Sequence, residues 1–324
     1  PKPYFDESLS GYLVRLALVN KYKPSYIYQK FNLFAGIRKT LLSNFIDTKT
    51  LCDEDLRLIS LMSNLSTDEI LSLKFREIEE NSNRYRLSNV IVDIKSISTR
   101  KIKVCPLCLK NASYIRRSWS LVNGIVCPYH NILLVDKCDK CTKSLSWWSP
   151  NIFKCECGHL YKDSASIEVT DDISLISKLL YIRLGILPSE DFGVVSFISE
   201  MDFETLNNFI FLIAKHLVNS TISQFSGINY SVEEYSLIQN NITKIMQNWP
   251  NGYYEFLEQI KGKNIYSNIL GELNEYYHEL FQQRNDSFII LRKEFINYIL
   301  RKYGSTLSST KFATIVNKYE KITF

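Results

Sequence analysis

Seven of the eight cysteines fall between positions 105 and 157, and they come in half-sites rather than singly. Cys105-Pro-Leu-Cys108 is followed, after eighteen residues, by Cys127-Pro-Tyr-His130. Cys138-Asp-Lys-Cys141 is followed, after thirteen, by Cys155-Glu-Cys157-Gly158-His159. A Cys-x-x-Cys turn aims two thiolates at one point, and two such turns from separate parts of the chain complete a tetrahedron around a zinc ion. The first set offers three thiolates and one imidazole. In the second the fourth donor is open: Cys157 is favoured because Gly158 behind it lets the backbone turn closely around a metal, with His159 as the alternative. A disulfide framework is a poorer reading, because pairs this close would close loops that stabilise little. Both sets are complete without water, which points to two structural zinc ions and away from Lewis-acid catalysis.

The elements that must carry these half-sites divide the chain near residues 100 and 165. Residues 1–100 are expected to form an N-terminal helical, helix-turn-helix-like domain. Asp6 or Ser8 can cap a helix with Leu9, Leu13, Leu16 and Ala17 on one face, and a second helix begins after Pro24 with Tyr26, Ile27, Lys30 and Phe31. Another helix pair is expected over 53–62 and 66–80, where Ser66-Thr-Asp-Glu69 is a capping box. Residues 101–165 are a two-zinc module with short strands, for which the metals supply much of the folding energy. Residues 166–324 read as an all-α bundle. Helices are expected near 171–184, 202–217, 231–247, 252–281 with breaks, and 285–303, followed by a short last one. The fold class is therefore mainly α, with a central double zinc-finger module.

Charge follows the same divisions. Residues 1–100 carry 15 basic and 12 acidic side chains, residues 101–165 carry 10 and 4, and the remainder carries 14 and 18. The overall +5 is thus +3, +6 and −4 along the chain. Metal-bound thiolates lower the middle value to about +3. Only the first half attracts a phosphate backbone. Arg116 and Arg117, with Lys103 and Lys110 nearby, are the candidates for a nucleic-acid or partner contact. Trp119 is expected to pack between the two zinc turns, and Trp147-Trp148 to pack in a hairpin. No apolar run approaches the roughly 18 residues of a membrane helix, and Pro1-Lys2-Pro3-Tyr4 carries no apolar leader, so a cytoplasmic chain is expected. The phosphate loop G-x-x-x-x-G-K-[ST], G-x-G-x-x-G, H-E-x-x-H and G-x-S-x-G are all missing. His216 and His278 are expected at the surface, and Asp171-Asp172 and Glu233-Glu234 suit first helical turns. No catalytic residue is assigned.

Two stretches resemble one family. Pro3-Tyr-Phe-Asp-Glu-Ser-Leu9 followed by Val14-Arg15-Leu16-Ala17 is similar to the opening of TniQ and its longer relative TnsD, a P-x-x-x-E-S-L segment leading into an R-[LIV]-A helix. Cys105-Pro-Leu-Cys108-Leu109, Tyr114, Trp119, Leu121, Cys127, His130, Leu133-Leu134 and Cys138 follow that family's zinc region in order. Gly11-Tyr12 stands where Ser-Trp is common, and Lys21-Tyr22 where Asn-Gly is common. The resemblance implies a non-enzymatic target-selection adaptor of cut-and-paste transposons, whose partner is the AAA+ regulator TnsC. Asn248-Trp249-Pro250 and the acidic, aromatic-rich helical half favour the CRISPR-associated branch, which docks on an RNA-guided Cascade effector with its guide RNA and target DNA, often as a homodimer. A TnsD-like protein that reads attachment-site DNA is the alternative within the family. Outside it stand a zinc-ribbon transcription regulator and a zinc-containing nucleic-acid enzyme.

Overall fold

The computed structural model describes residues 1–23, 26, 46–48, 51–79, 82–98, 101–147, 149, 151–218, 230–261, 271–282 and 286–303. Helix α1 (Leu9–Val19) begins where the Ser8 side chain accepts from the Gly11 N–H at 3.0 Å. Leu9, Leu13, Leu16 and Ala17 are buried as their spacing predicts, but so are Tyr12 and Val14, so the helix is enclosed on most sides. Its end is closed by Asn20, whose side chain donates to the Leu16 carbonyl at 2.8 Å, and by Lys21 in the left-handed region. The partner helix expected after Pro24 lies outside the described residues apart from Tyr26, and so do Trp148 and the expected last helix.

The second helix pair is α2 (Asp53–Ser63) and α3 (Thr67–Ser72). The Ser66–Glu69 capping box forms in both directions, but α3 stops at Ser72 instead of running to residue 80. The chain turns there into a three-stranded antiparallel sheet that the sequence reading did not anticipate: β1 (Arg76–Glu77), β2 (Arg84–Leu87) and β3 (Val90–Asp93). The signal was present as the period-two alternation in Arg84-Tyr-Arg-Leu87, which buries Tyr85 and Leu87 while both arginines stay exposed. Tyr85 pairs with Val92 and Leu87 with Val90.

After a short helix α4 (Pro106–Asn111), the Cys-rich region runs mainly in turns and single antiparallel bridges. The C-terminal half is helical, as expected: α5 (Asp171–Arg183), a one-turn α6 (Ser196–Ser199), α7 (Phe203–Leu217), α8 (Val232–Gln247), α9 (Asn251–Lys261), α10 (Gly271–Gln282) and α11 (Ile289–Tyr303). Helix α8 is central and packs against α5, α7 and α9. Trp249 stacks on Tyr253 with centroids 4.9 Å apart at the entry to α9. Among the described residues no helix is long and apolar enough to cross a membrane.

The hydrophobic cores cut across the divisions at residues 100 and 165. One core joins α1, α2 and α3 to Trp119 and to cysteines of both Cys-rich sets. Another joins the sheet, through Tyr85, Leu87 and Val92, to the C-terminal helices. Between them the buried Asn123 receives hydrogen bonds from Tyr235 and Gln239 and donates to Asn207 at 2.7 Å, which fastens the Cys-rich region to α7 and α8.

Candidate metal centres

The turns that carry the donors have a common construction. Cys105 caps α4, its sulfur accepting from the Cys108 N–H at 3.4 Å, and Pro106 sits at the first helical position, where its missing N–H costs nothing. The other three half-sites are hairpin tips bracketed by single antiparallel bridges: Val126 to Leu133, Lys137 to Ser144 and Lys154 to Leu160. Each tip ends on a left-handed residue, Asn131, Thr142 or Gly158. These residues return an N–H to Cys127, Cys138 and Cys155 at 3.0, 2.8 and 2.9 Å respectively. Gly158, at φ +95°, was legible in the sequence and Asn131 is a residue that tolerates this region, but Thr142 is β-branched and gave no local signal.

These turns bring the donors together in two groups. Cys105, Cys108, Cys127 and His130 form one, and Cys138, Cys141, Cys155 and Cys157 the other, with donor atoms of each group within 4.8 Å of one another. In the first, His130 Nδ1 is 3.4 Å from Cys105 Sγ, 3.4 Å from Cys108 Sγ and 3.6 Å from Cys127 Sγ. In the second, Cys138 and Cys157 sulfurs are 3.6 Å apart, and those of Cys141 and Cys155 are 3.4 Å apart. These separations are far beyond the disulfide length of about 2.05 Å. They approach the edge of about 3.8 Å that follows for a tetrahedron of sulfurs about 2.3 Å from zinc. His159 stands apart from the second group, its Nε2 3.1 Å from Ser164 Oγ, and its carbonyl accepts from the Cys155 N–H. The second group is nearer the solvent, with Cys157 exposed, whereas the three cysteines of the first are buried.

Such crowding makes the thiols compete for protons. Hydrogen bonds from Cys105 and Cys127 pull Cys108 down to about 2, while the Cys108 side chain pushes Cys105 up to about 11. Cys155 is lowered to about 6, first by the Cys157 backbone N–H. A divalent cation relieves this competition by replacing the protons. Both groups can therefore hold a metal ion, and each is a closed set of four protein donors.

The residues expected at a nucleic-acid or partner surface are placed differently from one another. Lys103 is 6% exposed, and its ammonium donates to the carbonyls of Leu121 and Gly124, so it is committed to the interior. Burial lowers its pKa to about 7. Arg116 is ion-paired with Asp6 and lies over the rings of Tyr114 and Tyr129. Arg117 donates to the carbonyls of Ser72 and Phe5. Lys110 alone among the four is exposed. The burial of Lys103 has no local signal, because a single Lys in a basic module looks solvated. Trp119 is 1% exposed and shares one core with cysteines of both groups, whereas His216, expected at the surface, is buried beside Glu279 at 3.2 Å.

The segment Pro3–Leu9 also acquires a physical role. Glu7 is fully buried and is held by Arg15 at 2.6 and 2.8 Å, and the same carboxylate accepts from the Tyr4 N–H at 3.0 Å. The Glu, the Ser that caps α1 and the Arg of the motif are therefore parts of one lock on the start of the first helix. No curated protein matches the chain. Residues 1–134 match the family model TniQ, a span that holds this lock and the whole first metal-binding group and stops before the second. The first 134 residues are thus similar to the TniQ domain, which is associated with transposition and target selection.

Proposed function

We propose that this protein is the target-selection adaptor of a transposition system, with two structural zinc ions, and that it joins a target-recognition complex to the AAA+ regulator TnsC. Cys105, Cys108, Cys127 and His130 hold the first ion, and Cys138, Cys141, Cys155 and Cys157 the second. The zinc ions supply rigidity: each ties together half-sites that lie more than ten residues apart, and no step of chemistry is assigned to them. The observation that carries the reading is the joining of the family's opening segment to the first donor group, with Ser8 N–H on the Ile115 carbonyl and Arg117 N–H on the Asp6 carbonyl. The opening segment and the stretch that follows the first two donors are thus joined through the main chain.

Within the family we favour the branch that docks on an RNA-guided Cascade effector, as a homodimer. The C-terminal half supports this: its formal charge of −4 gives it no attraction for a duplex, and its aromatic-rich helices suit protein partners. Co-purification of the full chain with the products of neighbouring genes tests the reading. Recovery of an AAA+ ATPase together with Cas subunits is the expected result. An ATPase recovered with a specific DNA fragment would move the protein to the attachment-site branch. Tight binding to a palindromic duplex with no ATPase partner would replace the adaptor with a transcription regulator.

A further inference from the structure

With Lys103, Arg116 and Arg117 held by carbonyl and carboxylate oxygens of the protein itself, the cations free to meet an anion lie elsewhere. Two of them stand side by side on the outer face of the three-stranded sheet. Arg76 of β1 is directly opposite Arg86 of β2, and Arg84 shares their face two residues along. All three are exposed. Arg84 is balanced, being paired with Glu204 at 2.6 Å and opposite Asp93 on β3. Arg76 and Arg86 are not: Arg86 is opposite Ile91, and among the described residues neither arginine has a side-chain hydrogen bond or ion pair. Cβ atoms of directly opposed residues are about 5 Å apart, and like charges there are destabilising. The fold asks for neither side chain, because Tyr85, Leu87 and Val92 on the other face supply the packing. Charge on an edge strand discourages pairing with other chains, but Arg86 is on the central strand, where no such protection is needed. A local conflict of this kind is expected at a functional site, and an anion that bridges the two guanidinium groups removes it.

We propose that Arg76 and Arg86 form a sequence-independent contact for the phosphate backbone of duplex DNA. Guanidinium forks match phosphate oxygens, and a duplex, with one charge per roughly 1.7 Å of its axis, needs only an open cationic approach. A single strand is held by stacking its bases on aromatic rings, and a protein partner by an apolar patch at the centre of the interface. This face has neither: beside the three arginines it carries Ile78, whose N–H donates to the Arg84 carbonyl, half-buried Ile91 and Asp93. The contact adds to the adaptor reading without resting on it, because bare duplex reads it with no ATPase or effector present.

The test is binding of the full chain to a short fluorescein-labelled DNA duplex, followed by anisotropy over a series of salt concentrations. Each phosphate neutralised adds about 0.9 to the slope of log K against log salt. Arg76→Gln and Arg86→Gln are each expected to reduce that slope by about 0.9, and the two together by about 1.8, equally for duplexes of unrelated sequence. Arg76→Lys combined with Arg86→Lys should retain the slope, since lysine also meets phosphate as a point charge. Arg84→Gln, whose cation is already held by Glu204, should change it least. A folded double Gln variant with the slope of the unsubstituted chain, or an unsubstituted chain with no salt-dependent binding, would overturn the proposal. So would a double variant that loses binding to polyglutamate and keeps duplex binding, which gives the face to an acidic protein, or one whose loss is confined to single-stranded RNA. Should the double variant not fold, the two single variants decide it.

Discussion

At the residue scale, two positions test whether contacts seen here carry energy. At Gly11 an added Cβ would lie 2.8 Å from Ile115 Cβ, so α1 approaches the segment beside the first metal group too closely for any side chain. Gly11→Ser is expected to lose about 1–3 kcal/mol in denaturant unfolding, the usual cost of overpacking a closed interior. Asp47 is a second such position. It is fully buried, accepts from the Ser10 N–H at 3.0 Å, and has its other oxygen unpartnered among the described residues. Burial raises its pKa to about 6. The proton is therefore held more tightly in the folded than in the unfolded chain, where the pKa is about 4. Its contribution is greatest below pH about 4 and declines as pH rises to about 6, by an amount on the order of 3 kcal/mol. Asp47→Asn keeps the acceptor and removes the titration. Unfolding of wild type and variant across that window should show the variant gaining on the wild type as pH rises, and parallel curves would refute the assignment. Asp47 was not legible in the sequence, since a single Asp before Thr in a polar stretch looks solvated, and its burial depends on α1 and Phe75 closing over it.

At the element scale, the turns that end each half-site are the parts most open to test. Gly158 has φ +95° and open space around it, so an added methyl group meets no neighbour and only the backbone conformation is penalised. Gly158→Ala is expected to cost about 1–2 kcal/mol, read as weaker retention of one of the two ions in chelator competition. The ion held by the Cys105 group should be unaffected. Loss at both centres would mean that the two are not separate units. Elements of this kind were legible to different degrees. The donor spacing and the helices of the C-terminal half were readable because four half-sites in order and 3.6-residue periodicity are strong local signals. The sheet over residues 76–93 was hidden because α3 begins with a good capping box, and nothing within its own residues stops the helix. What stops it is the Phe75 N–H, which donates to the Asp47 carbonyl, and the pairing of the chain after it with a strand whose Tyr85 and Leu87 share a core with the C-terminal helices.

At the scale of the whole molecule, Cys105, Cys108, Cys127, Cys138 and Cys155 stand in one core with α1, α2 and α3, so the effects of metal removal should not be confined to the Cys-rich region. Chelation is expected to loosen the N-terminal helices and to leave the core formed by the sheet and α5, α7 and α8 with slower exchange. Uniform loss of protection would instead make the chain a single cooperative unit. The division into three consecutive stretches follows composition and charge, and the cores join residues distant in sequence across it. The central claim is that the eight donors form two closed metal centres, the first inside the stretch that matches TniQ and the second just after it. The most direct test is elemental analysis of the purified full chain, combined with X-ray absorption at the zinc edge. Two zinc ions per chain with a mixture of three-sulfur, one-nitrogen and four-sulfur coordination is the predicted result, with Cys108→Ser losing the ion that has nitrogen in its shell. A folded chain with far fewer than two metal ions, or with oxygen from water completing either site, would contradict it.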